Sequence, residues 1–170
     1  LNDMDPYVRS EAVRALDDLR ATEYVPDITL LLKDQDEFVR FQVGKTLSCF
    51  KSVDQLGDPD AAVRISSVFA LRAAHNKKYA PDIAILLKDP DAKVRRYSAM
   101  TLIEFEGKEY VPDIALLLKD SDAEVRWEAA QAIGCLNGQE FTWDDAGVLA
   151  AQAWWEQHKN DHEFSPKAKP

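Results

Sequence analysis

The chain has 170 residues, 46% of them apolar and 30% charged, with a formal net charge of −9. That length suits one elongated domain. The acidic balance disfavours nucleic acid and anionic membranes, whose recognition needs concentrated Lys and Arg, and no apolar run approaches the length of a membrane span.

The chain starts at Leu1, without Met and inside what reads as a repeat, so it is expected to be a fragment with no legible targeting signal. A helix following Asp3 and Asp5 carries Val8, Ala12, Leu16 and Leu19 on one side. No helix precedes it, and an exposed apolar end is expected there. The next unit predicts helices at Pro26 to Lys33 and from Asp36 to about Phe50. The third unit is irregular. From Phe50 to the turn residue Asp58 is 8 residues, whereas 15 separate Leu19, Ala74 and Phe105 from their next turn Asp. A deficit of about two helical turns leaves Lys51 to Gly57 too short for a normal first helix. Either the stack has a local defect or seven residues are absent from the chain. The second reading is preferred, because a missing helix would uncover the apolar stripe of both neighbours.

The fourth and fifth units are regular, and Tyr110 to Leu136 shows the pattern most clearly. Pro112 suits the first position of a helix, where its absent N–H leaves no bond unmade, and Asp113 favours the positive end of the helix dipole. Ile114, Leu117 and Leu118 make one apolar face. Asp120 or Asp122 can cap the following helix, whose inward stripe is Val125, Ala129, Ile133 and Leu136. Beyond Gly138, a helix from about Asp144 to Lys159 has an apolar side of Val148, Ala151, Trp154 and Trp155, and reads as a C-terminal cap. The organisation is thus a repeat array over 1–136, a cap over 137–160 and a polar tail over 161–170.

Val-Arg recurs at Val8, Val39, Val63, Val94 and Val125, with spacings of 31, 24, 31 and 31 residues. Tyr-x-Pro-Asp-Ile begins at Tyr24, Tyr79 and Tyr110, always 15 residues before the next Val-Arg, and Leu-Leu-Lys-Asp closes each first helix. Two short helices and two links fill such a repeat, which makes an all-α solenoid the fold class. The Asp-x-Asp-x-x-Val-Arg turn, with a small residue four positions after Val and an aliphatic eight after, resembles the HEAT repeat in its short phycobilisome-lyase-like form. Val43 departs from the small position. The resemblance implies a right-handed superhelix with second helices lining the concave side. It also allows functions from protein docking to bilin attachment and DNA-base excision.

Five Arg residues (9, 40, 64, 95, 126) each follow a turn Asp by four positions. One position repeated five times argues for structural bonds to carboxylates of the same or the adjacent repeat. His158 and His162 stand at metal-compatible spacing, but a zinc site needs at least three held ligands, so no metal and no cofactor is expected. Cys49 and Cys135 lie three repeats apart, about 30 Å at the usual helix spacing, beyond disulfide reach, and a reducing compartment, the cytoplasm, is expected.

The variable positions of the second helices carry the functional signal. Aligned on Val, positions +2, +3, +6 and +9 face away from the core stripe. The first unit places Ser10, Glu11, Arg14 and Asp17 there, as an outward face should be. Later units instead place Phe41, Ile65, Phe69, Tyr97, Met100 and Trp127, flanked by Lys45, Arg96, Glu128 and Gln131. A continuous apolar patch of this kind marks a binding surface; the alternative is cover by neighbouring repeats or the cap. The expected function is a non-enzymatic monomeric module that grips a protein segment on its concave face. A bilin lyase or isomerase subunit is the alternative, with Lys45, Arg72 and Arg96 for the propionates. A DNA glycosylase is disfavoured by the acidic chain.

Overall fold

The computed structural model describes residues 1–75, 77–161 and 164. All regular elements among them are helical, as expected. Second helices α1 (Pro6–Asp18), α3 (Glu37–Asp54), α4 (Ala61–Ala73), α6 (Ala92–Glu104) and α8 (Ala123–Asn137) alternate with short first helices α2 (Val25–Leu30), α5 (Ala80–Ile85) and α7 (Val111–Leu116). A last helix, α9 (Asp145–His158), packs on α8 and closes that end. Each first helix tightens into a 3-10 turn at its Leu-Leu-Lys; Ile28, Ile83 and Ile114 face inward in all three, joined by two buried Leu in the second and third but by none in the first.

The turn chemistry divides between the two Asp residues. The second caps the following helix: Asp36, Asp91 and Asp122 each accept from the backbone N–H of the repeat's Val. The first takes Arg from the preceding repeat. Corners between a second helix and the next first helix turn through Arg20, His75 and Glu106, all left-handed with φ of 50–52°. Gly138 does the same after α8.

The third unit has no such corner. Lys51 stays helical, α3 runs on to Asp54, and a 3-10 turn over Gln55–Gly57 leads into α4. In this chain the seven-residue deficit thus leaves the stack without one first helix, as Lys51 to Gly57 extend α3 and its closing turn instead. Across the seam Arg40 to Cys49 lie beside Ala70 to Ala74, and Ser48 to Gln55 beside Ala62 to Ala70. The two helices therefore face each other in opposite order, as a short link between adjacent helices demands. From α4 onward successive second helices run in the same direction, since Phe69 meets Tyr97 and Arg96 meets Glu124.

The defect also brings distant corners together. Arg20 pairs with Asp82, and the Tyr79 hydroxyl donates to Asp17 Oδ1 at 2.7 Å beside Lys78 Nζ at 2.8 Å. Asp17, expected outward, is therefore buried, as is Ser10, whose hydroxyl donates to the Tyr7 carbonyl. The core divides in two. Val13, Ile28, Val39, Val43 and Phe50 form a small cluster, and a large one extends from Cys49 to Phe164. At the N-terminal end Val8 and Leu19, expected in the stripe, are exposed. Leu1, Ala12, Leu16, Tyr24 and Leu30 line an open hollow of about 620 Å3, the apolar end the pattern implies.

Candidate binding face

The Arg ladder is settled by the adjacent repeat. Arg9, Arg64 and Arg95 each donate through Nε and Nη2 to the two carboxylate oxygens of Asp34, Asp89 and Asp120, at 2.7–2.8 Å. Nη1 of the same side chains reaches the carbonyls of their own turn. Each Arg thus ties one turn to the next, in a fork that only guanidinium can supply. Arg40 keeps its turn bonds to Asp34 and Gln35 carbonyls but pairs with no carboxylate among the described residues. The Asp of the next turn, Asp58, instead follows the missing helix.

This inter-turn ladder stands beside a direct finding from sequence comparison. A family model for HEAT repeats matches residues 1–72 and 81–142. The chain belongs to the HEAT-repeat family. Comparison with curated proteins gives no match.

On the second-helix row of this HEAT-repeat protein, α4, α6 and α8 hold most of the expected face together. Phe69 and Tyr97 lie 4.8 Å apart between ring centroids, with their planes tilted by 58°. Arg72 lies over Phe69 and Arg96 over Tyr97, at 5.3 and 5.7 Å, and Arg72 also approaches Met100 Sδ. Ile65, Tyr97, Met100 and Trp127 are half-buried, whereas Phe69 is 37% exposed. Trp127 packs against the core and its indole N–H meets Asp145 Oδ1 at 3.3 Å, so the cap narrows this end of the face.

Glu128, expected on the rim, is 3% exposed. Burial pushes its carboxyl above the usual range, and Arg96, 3.5 Å away, opposes the shift. It is part of the wall, holding the Arg96 head that also binds Glu124. Phe41 and Lys45 are exposed but do not continue the row. The reversed order of α3 and α4 puts them in a separate groove, with Gly44, Ser48, Ala70 and Ala73. The sequence alignment missed this because it assumed that every unit presents its second helix in the same direction.

Cys49 and Cys135 are both free thiols. His158 turns its Nδ1 to the Trp154 carbonyl and stacks on that ring. His162 lies outside the described residues, and no metal-ligating cluster occurs among those described. No described helix is long and apolar enough to cross a membrane.

Proposed function

We propose that this protein is an interaction module whose second-helix face binds a segment of a protein partner. The observation that carries this reading is the row Phe69–Tyr97–Met100, apolar and partly open, with Arg72 and Arg96 laid over its rings. Aromatic rings flanked by cations and carboxylates have the composition of interface centres, where aromatic and Arg residues dominate affinity. Ile65, Trp127 and Glu128 belong to the same reading as flank and wall, whereas Phe41 and Lys45 lie apart, in the groove between α3 and α4. The repeat length of 31 residues and its Asp-x-Asp-x-x-Val-Arg turn support the short phycobilisome-lyase-like form of the HEAT repeat. The two free cysteines favour a reducing compartment, the cytoplasm.

The test is capture from a native lysate by tagged protein, with bound chains identified by mass spectrometry. Phe69→Glu places a charge in the apolar centre at a partly exposed position. It is expected to abolish the capture seen with the parent protein and to leave the melting temperature within about 2 °C, as for surface changes. Undiminished capture by a folded Phe69→Glu protein sinks the reading.

A further inference from the structure

The seam between α3 and α4 has no counterpart elsewhere in the stack. Two adjoining hollows of about 550 and 480 Å3 share Ser48 and Ala70, and so form one groove along α3 from Arg40 to Gln55. At helical rise that is about 22 Å, room for roughly six residues of extended chain. Its floor is made of small side chains, with Phe41 standing at one end.

The charge on its walls runs against the rest of the molecule. The chain as a whole carries −9. Yet α3 has no carboxylate between Phe38 and Val53, where it carries Arg40, Lys45 and Lys51, and α4 has none at all. All three cations line the groove. None forms an ion pair among the described residues, whereas Arg64 on α4 is spent on Asp89 and Arg72 on Glu104. Arg40, bound only to turn carbonyls, lacks a carboxylate among the described residues for a physical reason: the missing first helix breaks the turn-to-turn register that would have supplied its Asp.

We propose that this groove binds an acidic segment of a partner protein in extended form, with Glu or Asp side chains at Arg40, Lys45 and Lys51 and an apolar residue against Phe41. The proposal rests on the protein-binding reading and adds the partner's charge and a second docking place beside the Phe69–Tyr97–Met100 row. Three unpaired cations beside an uncharged floor favour carboxylates spaced along a chain. The surrounding negative surface repels a polyanion as large as nucleic acid.

The probe is a fluorescein-labelled peptide of alternating glutamate and leucine, titrated with the full chain and followed by anisotropy. Saturable binding is expected, weakening as salt rises and falling at least tenfold in the Lys45→Glu, Lys51→Glu double variant. Both lysines are exposed, so the variant keeps the fold, which circular dichroism checks. Ser48→Trp, which fills the groove without changing its charge, is expected to weaken binding equally. The proposal is overturned by absent binding, by equal affinity in the double variant, or by equal binding of the lysine-for-glutamate peptide. Tighter binding of duplex DNA or of biliverdin overturns it as well. Lysate capture that is lost in Phe69→Glu but retained in the lysine variant would fail the groove alone and leave the broader reading standing.

Discussion

From α4 to α9 the stack repeats without interruption, while from α1 to α3 it hangs on a seam. In the first region Arg64 and Arg95 find the carboxylates of the next turn, the second helices share one direction, and one large core runs through to the cap. In the second, Arg40 has no carboxylate among the described residues, α3 and α4 meet in opposite order, and five buried residues make a core of their own. The difference teaches what a repeat supplies beyond its own contacts. Removing one first helix changes a bond, a direction and a core boundary together, because each repeat sets the register of the next.

The largest expected effect tests whether the two cores behave as separate units. Leu102→Ala or Ile133→Ala, both fully buried in the large core, should cost about 2–5 kcal/mol. Val39→Ala in the small core should instead lower an earlier transition confined to α1–α3. Urea melts followed by hydrogen exchange would separate the two, and a single transition moved alike by all three variants would erase the distinction.

Next comes the ladder itself. Arg64→Ala strips the partner from Asp89, a buried carboxylate, and should lower the melting temperature clearly. Arg40→Ala removes no ion pair and should shift it by no more than about 2 °C. Equal losses at both positions would mean that the carbonyl bonds of the turn, which both side chains make, are the important ones.

Tyr79→Phe addresses the bridge across the defect. It deletes the hydrogen bond to Asp17 and leaves Lys78 beside that carboxylate, so a loss of about 1 kcal/mol is expected. If the bridge couples the halves, this variant should also widen the gap between their transitions.

The smallest effect is pH dependence. The Arg9 bond holds the Asp34 carboxyl below its usual range. Burial pushes Asp120 up, but its bond to Arg95 overrides this and holds it low as well. A depressed folded pKa contributes stability above the unfolded value, near 3.9 for Asp. That contribution is lost as pH falls through the lower folded value. Acid melts should therefore steepen below about pH 4, less so in Arg9→Ala and Arg95→Ala, and identical acid profiles would show that the pairs contribute nothing.

Much of this was legible without coordinates. Val-Arg spacing, the Pro-Asp-Ile starts and the Asp turns gave the helices, the cap helix and the stripe of Val94, Leu102, Val125 and Ile133, four residues that are all buried. They did so because helix periodicity and capping are local, and five copies of one pattern remove ambiguity. The exposed apolar N-terminal end was legible for the same reason. Asp17 and Glu128 were misread because their burial comes from chain far away: Tyr79 lies 62 residues beyond Asp17, and Glu128 is enclosed beside Arg96 of the neighbouring helix.

What the sequence by itself determined is the HEAT-repeat stack and the apolar character of its variable positions, since both follow from side-chain period and short-range turn chemistry. What only the tertiary structure decided is which of those positions share a surface. The seven-residue deficit could be counted from the sequence, but its outcome depends on how α3, α4 and the corners at Arg20 and Tyr79 pack once a helix is gone. Packing put Phe69, Tyr97 and Met100 in one row and sent Phe41 and Lys45, with the unpaired Arg40, into a groove of their own. The direction in which a helix crosses its neighbour is a property of the assembled stack, and no residue pattern within that helix encodes it.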